Sequence, residues 1–285
     1  MTFYELSVIT NTGYPYYNIV LKVPPNGESI LLRFFDFTSN NSDKISKLDP
    51  VSSFELNAGL VSALFEFARN INKKIENLEF RSSNKEGLDN NDWNYEGDVL
   101  ITTQTEPYLF HKSVKQKIKV IYDTIIADKL PLDSALEMLQ NEEDIIIDIL
   151  TDAEARKHII SHEFELNRIA DEFLTEMNNY GLQSICITSF DLSPITVYGN
   201  NYSLNDVNAI LRNIGVFPDI LPLEWIYRQS NILNEQIWVY LIKSGVGPTV
   251  NGLFEPYFYL LFADPQSYLG EFPGKLTAKF NQILG

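Results

Sequence analysis

Short runs of alternating apolar residues open the chain. Residues 2–10 and 15–23 are rich in Val, Ile, Tyr and Leu and flank the turn 10-TNTGYP-15, in which Gly13 can take the positive φ that such turns require. This predicts a β-hairpin at the very start. After the turn 24-PPNGE-28, the stretch 29-SILLRFFDF-37 predicts a third strand. In 52-SSFELNAGLVSALFEFARNINKK-74 the period changes. Leu56, Leu60, Ala63, Phe67 and Ile71 share one helical face, and Ser52 with Glu55 has capping-box spacing. Ala58, Gly59, Ser62 and Ala63 are all small, and a Gly inside a helix costs about 1 kcal/mol against Ala, so close approach of this helix to a sheet is expected. Strands follow at 75–83 and 98–104, around a polar loop at 84–97.

From His111 to Tyr180 the pattern is helical, with breaks expected at Pro131 and near Asn141. Ile118, Ile121, Tyr122 and Ile125 form one apolar stripe; Leu166, Ile169, Ala170, Phe173 and Met177 form another. Beyond Gly181 the initial order recurs. Strands are expected at 183–191 and 194–199, then a helix at 204–214 with Ser203 as N-cap and Asp206 in its first turn. A helical segment at 222–230, strands at 235–245 and 256–264, and a closing helix at 267–284 complete the reading. Mostly antiparallel sheets carrying helices make the fold class α+β. The expected division is a domain at 1–130, an acidic helical connector at 131–162 and a second domain at 163–285.

Charge narrows the functions. The 285 residues carry a formal net charge of -16, which is wrong for nucleic-acid phosphates and for an anionic membrane surface. The acidity is concentrated: Lys129 to Tyr180 holds 13 acidic and 4 basic residues, making basic partners the electrostatic match. The single cysteine, Cys186, cannot form an intrachain disulfide, and between Ile185 and Ile187 it reads as a buried small hydrophobe. The N-terminus lacks the basic residue of a signal peptide, and the longest apolar run, 257-YFYLLFA-263, is far below the ~20 residues of a membrane span. A cytoplasmic protein is expected, reaching membranes only through partners; the sequons at Asn40 and Asn201 are then coincidental.

The hairpin "VITNTGYPYYNIV", the helix "FELNAGLVSALFEFARNI" with its small-residue segment "AGLVSALFEF", and the paired strands and helix after it resemble the longin and roadblock family of small α/β sandwich domains. The second half, from "ICITSFDLSPITVYG" onward, is similar in arrangement without comparable motif text. The strand at 29–37 and the long helical middle depart from the simple longin pattern. The resemblance implies two longin- or roadblock-like sandwiches and an adaptor role. Such domains pair through sheet edges or helices, as homodimers or heterodimers, and bind or regulate small GTPases or build trafficking assemblies.

Catalytic motifs are few. The string 270-GEFPGKLT-277 has three residues between its glycines, a Pro in place of an amide donor, and Leu276 between Lys275 and Thr277, so it is not a phosphate-binding loop. The run 142-EEDIIIDILTDAE-154 lacks the alternating ligands and central Gly of a calcium loop. Glu154, His158 and His162 stand four residues apart in one helical row, a spacing that can hold a transition metal, with Glu165 as a further carboxylate. The competing reading has both imidazoles bordering the apolar face centred on Leu166 and Phe173. Tyr14 and Tyr16, beside the first turn, are candidate contact anchors, since tyrosine buries its ring while its hydroxyl stays paired. The expectation is therefore a non-enzymatic protein without catalytic residue, metal or cofactor, a scaffold whose partners are proteins. The alternatives are a small-molecule-sensing module and a metal-dependent enzyme using His158 and His162.

Overall fold

The opening hairpin forms, β1 (Phe3–Thr10) pairing with β2 (Pro15–Val20), and the predicted third and fifth strands appear as β3 (Leu31–Asp36) and β4 (Val99–Thr105). The computed structural model describes residues 2–10, 14–37, 59, 62–64, 66, 68–69, 99–130, 138–215, 217–233 and 235–285. The Gly13 turn, the strand expected at 75–83 and the loop at 84–97 lie outside them. The chain divides into two compact units, 1–37 with 97–285, and 38–96. In the second unit the described residues, Gly59, Ser62, Ala63, Leu64, Glu66, Ala68 and Arg69, are helical, as the sequence predicts.

The first sheet is antiparallel in the order β2-β1-β4-β3. Its strands alternate as the period of two demands, with Leu6, Val8, Phe35, Val99 and Ile101 buried on one face. Helix α1 (His111–Ile121), continued by a π-helical turn over Tyr122–Ile126, meets this face: Phe37 stacks on Tyr122 at 4.2 Å and Phe35 on His111 at 5.7 Å. The predicted stripe is the one that packs, since Ile118, Ile121, Tyr122 and Ile125 are all buried.

Helices α2 (Gln140–Thr151), α3 (Ala153–Ser161) and α4 (Glu163–Met177) follow. Residues 131–137, including Pro131, lie outside the described set, and α2 begins beside the break expected near Asn141. A further break, unanticipated, falls at Asp152, whose φ of 57° is left-handed and ends α2.

The second sheet is also antiparallel, in the order β6-β5-β11-β8-β7, from β5 (Leu182–Thr188), β6 (Pro194–Tyr198), β7 (Trp225–Ile232), β8 (Glu235–Lys243) and β11 (Phe258–Ala263). A small hairpin, β9 (Thr249–Val250) with β10 (Leu253–Phe254), interrupts the last connection; Asn251 and Gly252 supply its positive-φ turn. One face bears Ile185, Ile187, Tyr240, Ile242, Tyr259 and Leu261 and is covered by α4 and by the terminal helix α6 (Phe272–Leu284). Helix α5 (Leu204–Arg212) lies on β6 and β7, and Ser230 Oγ donates to its Ile210 carbonyl. Its capping box is present: Asp206 N–H donates to Ser203 Oγ, and Ser203 N–H to the Asp206 carboxylate.

Two expectations are corrected. Residues 222–230 are not a helix but mostly strand β7, whose eight register pairs with β8 agree with the β-forming Trp225, Ile226 and Tyr227. The closing helix starts at Phe272 rather than 267, with Pro273 in its first turn, where no intrahelical N–H is lost.

Gly247 sits where no side chain fits, because a Cβ would lie 2.0 Å from the Glu255 carbonyl oxygen, whereas one at Gly252 (φ 81°) would meet open space. Gly247→Ala is expected to lower unfolding free energy by about 2–3 kcal/mol through overpacking, and Gly252→Ala by about 1 kcal/mol through backbone strain alone. Urea denaturation of the two variants measures the gap.

Candidate functional site

The strongest electrostatic feature is buried. Lys117, on the inner face of α1, is fully enclosed, with its Nζ 2.5 Å from Asp191 Oδ2 and 2.6 Å from Asp152 Oδ1. Asp191 is held in the β5–β6 turn by Ser189 Oγ at 2.7 Å and the Ser193 N–H at 2.8 Å, both donating to Oδ1. Asp152 reaches inward because the left-handed break between α2 and α3 turns it there; neither of its buried oxygens accepts a well-aligned hydrogen bond. The rings of Phe3 and Phe190 lie 5.1 and 5.3 Å from the ammonium. Glu255, before β11, is 5% exposed.

One lysine thus faces more carboxylate than it can neutralise, and the protonation states adjust. Burial opposes the charge on Lys117, but Asp152 and Asp191 outweigh it and hold the ammonium above its ordinary pKa. Asp191 is likewise penalised by burial, yet Lys117, Ser189 and Ser193 keep it below the usual carboxylate range. Asp152 is pushed up to about 6, by burial first and then by Asp191. Glu255 rises to about 8, through burial first, with Lys117 pulling down and Asp152 and Asp191 adding to the rise. Sealed from solvent, this cluster ties α1 to the β5–β6 turn and the α2–α3 break.

A second polar junction lies nearby. Arg212, ending α5, donates to Glu106 through Nε at 2.8 Å and Nη2 at 2.6 Å, a bidentate pair that Tyr4 joins through its hydroxyl. Tyr108 donates to Asn208 at 2.7 Å, and Phe110 meets Phe258 at 5.3 Å. The end of the first sheet is thereby bonded to the helix and strands of the second.

Of the residues singled out from sequence, Glu154, His158 and His162 do come close, with the two imidazole centroids 4.9 Å apart. They are otherwise engaged. His158 Nδ1 is 2.7 Å from the Tyr257 hydroxyl, His162 Nδ1 is 2.9 Å from the His158 carbonyl, and Glu154 pairs with Lys157 at 2.7 Å. Burial, then His162, lowers the pKa of His158. Among the described residues no group of three His, Cys, Asp or Glu side chains is placed to hold a metal. Glu154, Lys157, His158 and Ser161 instead form one wall of a surface hollow of 690 Å³, facing Val246 and Phe254. Cys186 is fully buried, its thiol pKa raised by burial. Tyr14 is 56% exposed and meets half-buried Tyr16 edge-on at 5.8 Å, beside and on the edge strand β2.

The surface feature missed from sequence is the edge strand β7. The pairings Trp225↔Ile242, Tyr227↔Tyr240 and Gln229↔Trp238 put Trp225 and Tyr227 on the α4/α6 face, beyond the helices. Trp225, Tyr227, Trp238 and Tyr240 form a continuous ring cluster with centroid separations of 5.3–6.4 Å, and Tyr227 remains 51% exposed. No described strand pairs with the outer side of β7. The signal was present in the text: aromatic residues at a period of two in WIY, hidden by the helical reading of that segment. For the buried cluster, the signal was a lysine at an apolar-stripe position, three residues after Val114 and four before Ile121.

No protein-family model matches the chain, and no curated protein matches it significantly. No helix among the described residues is long and apolar enough to cross a membrane.

Lys117→Met is expected to cost about 3–5 kcal/mol, because it leaves buried carboxylates uncompensated, as read by urea denaturation. The Glu255 carboxyl folds more readily protonated, so its contribution is full below its ordinary value of 4.5 and is lost as pH climbs towards about 8. Glu255→Gln should therefore flatten the pH dependence across that window and exceed the parent by up to roughly 4 kcal/mol at pH 8; melting curves at stepped pH read the effect.

Proposed function

We propose that the chain is a non-enzymatic adaptor, built of two longin- or roadblock-like domains, that binds or regulates a small GTPase or joins a trafficking or signalling assembly. The observation that carries this reading is the β7 edge, with which no described strand pairs on its outer side, and the partly exposed aromatic cluster beside it. An unpaired strand edge offers N–H and C=O groups to an added strand, while Trp and Tyr beside it are the residues that most often anchor interfaces. The order hairpin, helix, hairpin, strand and helix over 182–284 supports a sandwich domain in the second half. Partners are proteins on this reading, in the cytoplasm, with membranes reached through them.

A second reading, a ligand-sensing module, is favoured by the 690 Å³ hollow beside His158, within the usual range of small-molecule sites. Native mass spectrometry separates the two: a purified protein carrying a small added mass would favour the sensor.

For the adaptor, affinity capture from the protein's own cell extract, with and without Trp225→Ser/Tyr227→Ser, is the direct test. A small GTPase or a longin- or roadblock-type protein should be recovered by the parent and depleted roughly tenfold or more with the variant, in keeping with loss of an aromatic anchor. Recovery of neither class, or equal recovery by both forms, defeats the reading. Trp225 is 38% and Tyr227 51% exposed and both pack on Tyr240, so a cooperative melting curve of the variant verifies its fold before capture.

A further inference from the structure

The acidic middle of the chain has a feature that neither the buried cluster nor the β7 edge absorbs. Phe164 is 83% exposed and Ile160 65%, four residues apart across the short break at His162, where α3 passes into α4. The inner side of the same helices is fully committed: Ile159, Leu166, Ile169, Ala170 and Phe173 are buried in the core of the second sheet. Ile160 and Phe164 therefore face away from it. Burying a Phe or Ile side chain is worth about 1.5–3 kcal/mol, and here that gain is forgone twice at adjacent positions.

The surroundings select a partner by charge. Residues 140–177 hold 11 acidic and 3 basic residues. Two of the three basic residues, Lys157 and Arg168, are already bridged to Glu154 and Glu172 within their own helices. Glu163 and Glu165, on either side of Phe164, and Asp171, two turns on, are exposed and in no ion pair with a described residue. An apolar anchor between unneutralised carboxylates, set along a helical line, is complementary to one occupant: an amphipathic helix with an apolar stripe flanked by Lys and Arg. Its stripe covers Ile160 and Phe164 while its flanks meet Glu163 and Glu165, and a basic residue near its end meets Asp171, which continues the line of Phe164.

We propose that the α3–α4 ridge centred on Phe164 is a docking surface for a basic amphipathic helix of a partner protein. It stands apart from the β7 edge and does not depend on the adaptor reading.

The probe is a synthetic peptide of Leu and Lys placed at amphipathic helical spacing, with a scrambled peptide of the same composition as reference. Binding to the full chain is followed by fluorescence anisotropy and by amide chemical shifts. The patterned peptide should bind more tightly than the scrambled one, shift amides within 157–172, and weaken roughly tenfold or more with Ile160→Ser/Phe164→Ser, the loss expected for an aromatic anchor. Glu163→Gln/Glu165→Gln should reduce the salt dependence while leaving the chain folded, and Trp225→Ser/Tyr227→Ser should change nothing. Equal binding of the scrambled peptide would reduce the effect to unspecific attraction by an acidic chain and overturn the proposal. Absence of binding, shifts centred elsewhere, or indifference to loss of Phe164 would overturn it too. So would self-association abolished by Phe164→Ser, which would assign the ridge to a second copy. All four substituted side chains on the ridge are exposed, and an unchanged melting temperature verifies that each variant is folded.

Discussion

One ammonium group holds the architecture in register. Lys117 brings its charge into a space closed to water, where an isolated charge would cost several kcal/mol, and is tolerated only because Asp152 and Asp191 meet it there. Each partner arrives by way of a backbone connection. A left-handed residue splits α2 from α3 and points Asp152 inward, while a tight turn between β5 and β6 pins Asp191 with two serines. Replaced by hydrophobes of equal volume, such a cluster would stabilise as well or better; what an apolar core lacks is direction. A lysine held between two fixed carboxylates adds a directional contact to the interdigitated apolar packing of α1. The bidentate Glu106–Arg212 pair plays the same part at the junction of β4 and α5.

That division between adhesive and directing contacts governs what could be read from the sequence. The adhesive part was legible. Period-two runs gave the strands of both antiparallel sheets, and the stripe from Leu166 to Met177 named the buried face of α4. Its failures were local, as at β7, where a strand stabilised by pairing with β8 looked helical once its neighbours were ignored. The directing part was mostly hidden. Lys117, Asp152, Asp191 and Glu255 are far apart in sequence, and nothing in the run from Glu142 to Glu154 marks Asp152 as the one acid that turns inward while Asp144, Asp148 and Glu154 face solvent. Only Lys117 betrayed itself, by interrupting an apolar stripe.

The same division separates the interior from the surfaces left for partners. In the second sheet, α4 and α6 cover one face only as far as β8, so the rings of Trp225 and Tyr227 extend the core's chemistry into solvent without a lid. Tyr14 and Tyr16 do this on a smaller scale at the edge of the first sheet. At the α3–α4 ridge, the apolar residues emerge among carboxylates instead. The two kinds of surface differ in what they select: a neutral aromatic edge discriminates by shape and backbone pairing, whereas the acidic ridge also steers by charge and responds to salt.

Strongly displaced pKa values ordinarily mark places where chemistry is done. Here the two carboxyls raised to about 6 and about 8 belong to side chains 3% and 5% exposed, gathered round a lysine with no exposure at all. A reacting group needs a substrate beside it, and Lys117, Asp152 and Asp191 are enclosed. Its perturbed values therefore record the electrostatic cost of holding α1, the β5–β6 turn and the α2–α3 break together. Exposed groups able to meet another molecule are of a different kind: aromatic rings on a free strand edge, and an anchor set between carboxylates. The adaptor reading rests on those exposed groups and not on the buried cluster.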